Sequence, residues 1–578
     1  MREVNSHFAY NPTNVNIRRS TFDRSQDIKF TCNTGKLIPF FWDEALPGDT
    51  YTVDTSILSR MSTPIHPVMD DMFLDVYYFA IPERLTWDHW EEFNGQNDDA
   101  WAQQIDFELP QINVTTPYRK GSAADYLGIP TQVTGFSVRA DVFRAYALVW
   151  NEWFRDQNLQ DSCFIDKGDS ARSNGSPGNT AYSFLQNAIK GTELCPVNKF
   201  HDYFTSALPE PLKGPDVFLP IALQDNAVDV YGTMNMGEDG LITNDEGLVL
   251  QSNLYNANGE NKQNWSHMFS NHPGGDAGVN NLGNFYRGGE LQRDEFYSST
   301  NVISKQYADF LGIDSNLKAY FSPENVGTIS QLRLAFAVQR LYERDARGGT
   351  RYTELLRSHF GVVSPDSRLQ RPEYLGGKRL HVNMQQVLQT SATNEVSPQG
   401  NTAAYSLTAD RDSSFTKSFT EHTIILGLCC FRPRHTYQYG LERAWSRKSR
   451  FDFYWPALAN ISEQPVYNKE IYLANDGKND EPFGYNEAWA EYRFKPSRVA
   501  GAFRSNYEGS LDVWHYADKY TSRPYLNGEW IQETATNVDR TLAVSSEVED
   551  QFICDFFVKM RCVRPMPPYS VPGLLDHN

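Results

Sequence analysis

The sequence is 578 residues long, with 40% hydrophobic and 13% aromatic residues and a formal net charge of −19. This length exceeds one compact core of ordinary size, so we expect several domains or one fold with large insertions. Because 72 acidic residues face 53 basic ones, the chain as a whole repels nucleic acid, and contact with a polyanion requires a locally basic surface.

Residues 1–30 are polar and rich in asparagine, which indicates an N-terminal arm rather than a folded domain. The arm carries four candidate nucleic-acid contacts: Arg18, Arg19, Arg24 and Lys29. The alternative is an arm that lies along a neighbouring subunit and binds no nucleic acid. Its first residues lack an apolar segment of the secretory type, so we predict no signal peptide.

The first clear strands are predicted between Leu37 and Gly95. The run 37–42 is apolar and aromatic, as strands are, and Pro47-Gly48-Asp49 then turns the chain. A second apolar run, 72–81, ends at Pro82, which has no N–H for a ladder. Alternation puts one set of its side chains on one face (Phe73, Asp75, Tyr77, Phe79) and another set on the other (Leu74, Val76, Tyr78). Since both faces are largely apolar, we predict an interior strand of a packed double sheet.

Residues 141–156 predict an amphipathic helix. Its apolar stripe consists of Val142, Tyr146, Val149 and Trp153 at helical spacing. A stripe of tryptophan and tyrosine could serve as a sugar-binding platform, but packing into the core is the interpretation we favour.

Between residues 232 and 292 the composition changes, with 11 glycines and 11 asparagines in 61 residues. Such a segment buries too little apolar surface to offset its own ordering entropy. We therefore predict a long surface insertion here.

A strong helix pattern begins at Thr328, which forms a capping box with Gln331, and ends at Gly348-Gly349. Its apolar stripe consists of Leu334, Val338, Leu341 and Tyr342. A second stripe consists of Arg333, Arg340, Arg344 and Arg347. The arginine stripe is a candidate phosphate- or carboxylate-binding surface. The alternative, which we favour, is a set of salt bridges to acidic residues of the same or a neighbouring subunit, so we assign these arginines to a subunit interface.

Two late apolar runs, 423–433 and 554–565, predict strands that end at proline. The adjacent Cys429 and Cys430 would face opposite sides of the first of these strands. Between the two runs, RKSRFDFYWPAL and EYRFKPSRVAGAFRS interleave basic and aromatic residues. That pattern suits the stacking of single-stranded bases, and it equally suits a subunit interface.

The sequence contains no nucleophile elbow, Walker A loop, HExxH motif or dinucleotide fingerprint. Its twelve histidines and seven cysteines show no metal-ligand spacing, so we predict free thiols and no catalytic residue, metal or cofactor. The longest apolar run, 424–431, is too short to cross a bilayer, and we expect no membrane insertion.

Six strings occur in order along the chain: LIPFFWDEALPGDT, RMSTPIHPVMDD, FAIPERLTWDHWEEFNG, RAYALVWNEWFRDQNL, GTRYTELLRSHFGV and SPDSRLQRPEYLGG. Together they resemble the major capsid proteins of gokushoviruses, small single-stranded DNA phages of the Microviridae. The resemblance implies a mainly β fold, an eight-stranded antiparallel jelly roll with long loop insertions and several helices. Residues 31–231 and 293–578 would form this core, and 232–292 would form protrusions at the three-fold axes.

The resemblance also implies a function without catalysis. Sixty copies would assemble through pentamers into a T=1 icosahedral shell around circular single-stranded DNA. The implied partners are a small basic DNA-binding protein, a minor or pilot virion protein and a host cell-surface receptor, which the insertion would contact. The implied location is the virion, assembled in the cytoplasm of the bacterial host.

A carbohydrate-binding or carbohydrate-active β-sandwich protein is the alternative from another class, since acidic proteins rich in tryptophan and tyrosine often bind sugars. An enzyme of this kind needs two carboxylates about 5–10 Å apart in an aromatic cleft. A tail or spike protein is a third hypothesis, but the repeat expected of its shaft is not visible.

Overall fold

The computed structural model describes residues 18–96, 107–175, 183–215, 329–349, 351–391, 393 and 398–569, together with the backbone of six short strands between residues 216 and 328. The chain divides into two compact units. The first consists of Met1–Asp216 and Val338–Asn578, and the second is Val217–Ala337.

Two antiparallel sheets form the centre of the first unit. Their strands, numbered in chain order, are β1 (Ser20–Asp23), β2 (Gln26–Cys32), β3 (Ile38–Ala45), β4 (Thr50–Met61), β5 (Met72–Pro82), β6 (Glu373–His381), β7 (Thr408–Ser418), β8 (Thr423–Pro433) and β9 (Phe552–Arg564). The first sheet has the order β2–β9–β4–β7, and β1 pairs with the end of β9 beyond β2. The second sheet has the order β6–β5–β8–β3.

The topology is that of a jelly roll. Counted as one interrupted strand, β1 and β2 complete a set of eight, four in each sheet. Successive strands alternate between the two sheets except at the step from β5 to β6, where both strands belong to the second sheet. The predicted fold class is confirmed.

Strand β5 is the interior strand that its two apolar faces predicted, because it pairs with β6 on one side and β8 on the other. Leu74, Val76 and Tyr78 belong to the core between the sheets. Phe79 and Ile81 belong to a second core, on the outer face of the second sheet. The predicted division of faces is confirmed, and the second sheet is buried on both sides.

Strand β8 has the same double burial. Cys429 belongs to the core between the sheets and the adjacent Cys430 to the outer core, as predicted. All seven cysteines are buried and free. At Gly427, a Cβ atom would lie only 2.9 Å from Phe40 and Phe41 side-chain atoms, so close packing requires glycine there.

Helix α1 (Asp141–Val149) confirms the predicted helix, and one π-helical turn, Trp150–Phe154, extends it. Tyr146 and Trp150 are fully buried in the outer core, which confirms core packing over a sugar-binding platform. The single predicted stripe was too narrow, because the polar Arg144 is buried as well. Its guanidinium is satisfied by donating to the backbone carbonyl groups of residues 86 and 168.

The predicted arm is shorter than 30 residues in the structure, because residues 20–32 are largely strands β1 and β2. Ile28 and Phe30 pack against the core between the sheets, whereas the alternating Asp27 and Lys29 are exposed. This half-buried alternation is typical of a strand at a sheet edge. The preceding residues 1–17 lie outside the described part of the chain.

The second unit contains the predicted insertion. Its described strands form three antiparallel pairs: Ala227–Asp229 with Lys318–Tyr320, Leu250–Ser252 with Trp265–His267, and Tyr286–Arg287 with Glu290–Leu291. The other residues of 232–292 lie outside the described ranges, so the surface position of this segment stays a prediction.

Helices α2 (Ile329–Gly348) and α3 (Tyr352–Phe360) precede β6. Gly349 has a φ of +87°, so α2 ends at the predicted glycine pair, while Thr328 lies outside the described residues. The other strands are Gln111–Val114, Phe136–Arg139, Arg172–Ser173, Met384–Leu388, Thr402–Ser406, Glu463–Tyr467 and Pro482–Glu487. The short helices are Glu83–Leu85, Trp90–Phe93, Ala123–Tyr126, Phe184–Asn187, Ala188–Lys190, Arg443–Ser446, Arg450–Asp452, Pro456–Leu458, Asn468–Ile471, Ala490–Arg493, Gly501–Phe503, Asp512–Trp514 and Thr536–Asp539.

Adjacent phenylalanines of β9 offer a matched test of this packing. Phe556 is fully buried, with its ring centroid 5.0 Å from those of Phe30 and Phe40, whereas Phe557 is 39% exposed on the other face. We expect Phe556→Ala to lower the free energy of unfolding by about 3–5 kcal/mol, because it leaves a cavity. Phe557→Ala should cost about 1 kcal/mol or less. Chemical denaturation measures both, and equal losses would contradict the assigned register.

Candidate assembly and nucleic-acid surfaces

The four predicted nucleic-acid residues differ in what they contact. Arg24 Nη2 lies 2.6 Å from Asp43 Oδ1, and Lys29 Nζ lies 3.4 Å from Asp555 Oδ1. Arg18 and Arg19 are exposed and form no ion pair with a residue that the structure describes. Of these four residues, Arg18 and Arg19 are therefore the two whose charges have no described ionic partner in the subunit. The nucleic-acid role of all four stays a prediction.

The arginine stripe of α2 is exposed along its length. Arg347 binds Glu463, with Nη2 2.5 Å from Oε1, and burial raises the pKa of this glutamate despite the nearby guanidinium. Arg333, Arg340 and Arg344 form no ion pair with any described residue. The predicted salt bridging within the subunit thus involves one arginine of the four, and the assignment of the stripe to a subunit interface stays a prediction.

The apolar stripe of α2 is exposed at two of its four positions, whereas Val338 and Tyr342 are half-buried. Leu334 is 63% exposed and Leu341, seven residues further on, is 49% exposed. More exposed apolar side chains follow the helix in sequence: Tyr352, Phe360, Val362 and Val363. Exposed aliphatic side chains together with unpaired arginines are typical of a surface that a protein partner covers.

A second exposed surface joins arginines to aromatic rings. The guanidinium of Arg447 lies 5.2 Å from the ring centroid of Phe453 and 4.5 Å from that of Tyr492. The guanidinium of Arg450 lies 4.8 Å from the ring centroid of Phe451. We call this cluster the aromatic patch; its members are Arg447, Arg450, Phe451, Phe453, Tyr454, Trp455 and Tyr492.

The local sequence fixes the loop that carries the aromatic patch. Ser449 caps the helical turn Arg450–Asp452. In return, Asp452 Oδ2 accepts hydrogen bonds of 2.7 Å from the backbone N–H groups of Lys448 and Ser449. The indole N–H of Trp455 donates to the carbonyl oxygen of Arg450 at 2.8 Å. The interleaved residues therefore occupy a defined loop, as a stacking surface or an interface requires.

A buried ionic network joins the end of β8 to the C-terminal loops. His435 Nδ1 lies 2.8 Å from Asp518 Oδ1, and its Nε2 lies 2.6 Å from Glu533 Oε2. Burial disfavours the charged imidazole, but the two carboxylates outweigh it and raise the pKa of His435 to about 10. Although burial opposes ionisation of Asp518, Lys199 and His435 hold its pKa well below the usual range. His435 is thus a structural cation near neutral pH.

Metal ligands and membrane spans are not seen in the part of the chain that the structure covers. Among the described residues, no group of three or more His, Cys, Asp or Glu side chains could hold a metal ion. No described helix combines the length and apolar character needed to cross a membrane.

Comparison with known proteins decides which kind of protein carries these surfaces. A family model described as "Capsid protein (F protein)" matches residues 11–574. The chain belongs to this family of phage capsid proteins. It is 40% identical to capsid protein VP1 of Chlamydia phage 1, over 99% of this chain and 98% of that protein. Capsid protein VP1 of Bdellovibrio phage phiMH2K is also 40% identical, over 98% of both chains.

A third relative extends the comparison. Capsid protein VP1 of Spiroplasma virus 4 is 39% identical, over 94% of this chain and 93% of its own length. The match confirms the predicted family, that of Microviridae capsid proteins. This capsid protein is therefore a structural component of the virion and not an enzyme. The family model and the three relatives are named as capsid proteins, and none of these names refers to carbohydrate.

Two features of the capsid protein were missed from its sequence. The pairing of Arg24 with Asp43 depends on the first strands lying in the sheet, which the alternation of Phe22, Ile28 and Phe30 with polar residues could have indicated. The His435 network joins residues far apart in the sequence, and no local pattern marks it.

The charge of His435 gives stability a defined pH dependence. Its folded pKa of about 10 lies above the ordinary value of 6.5, so protonated His435 stabilises the fold fully below pH 6.5. That contribution is lost as the pH rises from 6.5 through 10. We expect the stability advantage of the wild-type chain over His435→Gln to shrink across this window in denaturant titrations. His201→Gln, at an exposed position, should keep the wild-type dependence, and an advantage of His435 that stays constant with pH would contradict its assigned charge.

Proposed function

We propose that this capsid protein assembles through pentamers into a T=1 icosahedral shell of sixty copies that encloses a circular single-stranded DNA genome. The observation that carries the proposal is helix α2, whose arginine stripe is exposed together with two leucines of its apolar stripe, Leu334 and Leu341. A protein that works by assembly needs such a surface, because a closed symmetric shell is held by many contacts that are individually weak.

A second copy of this chain is the partner that fits α2. Covering Leu334 and Leu341 removes apolar surface from water, which favours association. Arg340 and Arg344 are one helical turn apart and need carboxylates, and every copy carries 72 acidic residues. A regular row of arginines also suits a partner with a fixed register better than it suits a flexible DNA strand.

Enclosing DNA poses an electrostatic problem for a chain of net charge −19. Arg18 and Arg19 directly precede β1, and neither forms an ion pair with a described carboxylate. This end of the chain therefore supplies positive charge to the genome. Arg24 and Lys29 contribute less, because Asp43 and Asp555 neutralise them. A small basic DNA-binding protein supplies the remaining neutralisation, and a minor or pilot protein completes the virion.

Host contact is assigned to the segment 232–292. Its glycine- and asparagine-rich composition cannot support a core of its own, so it is suited to loops on an outer surface. We place it at the three-fold protrusions, where it meets a receptor on the host cell.

Charge reversal on α2 tests the assembly surface. We expect Arg340→Glu combined with Arg344→Glu to lower the yield of sedimenting particles by about tenfold or more, because like charges then face each other at each contact. Thermal melting of the subunit should be unchanged, since both side chains are exposed. Lys478→Glu, an exposed charge reversal in a loop, is the matched control. A normal particle yield from the double variant would contradict the assignment.

Deletion of the insertion tests host contact. Replacing residues 232–292 with a short Gly/Ser linker should leave particles that assemble and contain DNA but no longer attach to host cells. Sedimentation and a cell-binding assay measure the two properties separately. A deletion variant whose subunit fails to fold would show that the segment is part of a core.

A further inference from the structure

We infer that the aromatic patch stacks the bases of the enclosed single-stranded DNA, without preference for their sequence. This inference rests on the proposed function and names the residues that contact the genome. They differ from the charged residues near the N-terminus, because here rings rather than charges provide most of the contact.

The side chains exposed around the aromatic patch are mainly aromatic. Between residues 443 and 461, five of the six large hydrophobic side chains that are exposed are aromatic (Trp445, Phe451, Phe453, Tyr454 and Trp455), and the sixth is Ile461. Leu458, another large aliphatic side chain in this stretch, is half-buried. Helix α2 differs in proportion, because it exposes two leucines, Leu334 and Leu341, beside one aromatic ring, Phe336. Bases stack on flat rings, so a mainly aromatic surface suits single-stranded nucleic acid, whereas the exposed leucines of α2 suit a protein partner.

The rings of the aromatic patch are held in place before any ligand binds. Trp455 has its indole N–H satisfied by Arg450, so its faces are left for apolar contact. Arg447 lies between Phe453 and Tyr492 and binds Glu491 at 3.3 Å. Phe451 is 61% exposed and Trp455 is 51% exposed, although both belong to a fixed loop. Stacking on fixed rings costs little ordering entropy.

The charges around the rings leave cations, rather than carboxylates, without partners. Lys448 and Arg450 are exposed and form no ion pair with a described residue. The acidic groups nearby are engaged: Glu491 contacts Arg443 and Arg447, and Asp452 accepts backbone hydrogen bonds. A strand whose bases stack on the rings would therefore bring its phosphates near these two cations. Because neither contact involves a base edge, binding should not depend on sequence.

Oligonucleotide binding by the full chain tests this. The probe is a fluorescent twelve-nucleotide oligo-dT, titrated with unassembled subunits at several salt concentrations. We expect Phe451→Ala and Trp455→Ala each to weaken binding by about 5- to 150-fold without changing the salt slope. Arg450→Ala should lower that slope by about 0.7, the value for one lost phosphate contact.

Three controls separate stacking from general damage. Trp455→Phe keeps a ring and should bind nearly as the wild type does. Phe360→Ala removes an exposed ring outside the patch and should leave binding unchanged. Melting temperatures identify any variant that fails to fold, and Phe451→Ala keeps the test decisive if Trp455→Ala fails to fold.

The outcomes distinguish this inference from the proposed function. Wild-type oligo-dT binding by Phe451→Ala and Trp455→Ala overturns the inference alone. Normal oligo-dT binding combined with failed assembly of these variants also overturns it, and assigns the patch to contact with a second copy. Failure of the wild-type chain to form any shell overturns the proposed function itself, whatever the patch variants bind.

Discussion

The second sheet of the jelly roll lies between two hydrophobic cores. This double burial determines the sequence of its interior strands and the elements that must pack on its outer face. One face packs against the first sheet, and the other is covered by α1 and its adjoining loops. Strands β5 and β8 must therefore be apolar on both faces, and glycine is required where β8 passes Phe40 and Phe41. The sheet is stable only if the chain supplies both covers.

The element that covers the outer face of the second sheet, α1, lies in a long connection that accounts for much of the length of the chain. Strands β5 and β6 are hydrogen-bonded neighbours, yet one ends at Pro82 and the other begins at Glu373. Helix α1, the second unit and helices α2 and α3 all lie in this one connection. All nine strands of the two sheets lie outside that connection, and β2 near one end of the chain pairs with β9 near the other. Loop-closure entropy grows slowly with length, so the connection could acquire large insertions at modest cost.

The cationic side chains of the subunit fall into two groups, those paired inside it and those exposed without a described partner. Many cations are used inside the subunit, such as Arg432 at Asp75, Arg564 at Asp49 and His435 at two carboxylates. Arginines that lack described ionic partners form a group of three on α2 and a pair before β1, whereas others, such as Arg60, Arg119 and Arg450, lie apart. An acidic chain can bind both its own copies and a polyanion only if its free cations are grouped in this way.

Local patterning predicted β5, β8, β9 and α1, because alternation, helical periodicity and terminal prolines act within a few residues. It did not predict that residues 20–32 join the sheet, since Lys29 pairs with Asp555 at the far end of the chain. Nor could sequence show which arginines are free, because Arg347 and Arg340 look alike until Glu463 is placed beside one of them. The family was accessible from ordered strings of residues, whereas the partners of individual side chains depend on tertiary contacts.

The central claim is that α2 is covered by another copy of the chain in an assembled shell. A density map of particles formed by the full-length protein tests it most directly. The account predicts that Leu341, Arg340 and Arg344 contact a neighbouring subunit, with carboxylates opposite the two guanidinium groups. A map in which α2 faces solvent or DNA, with no neighbouring subunit against it, would contradict the account.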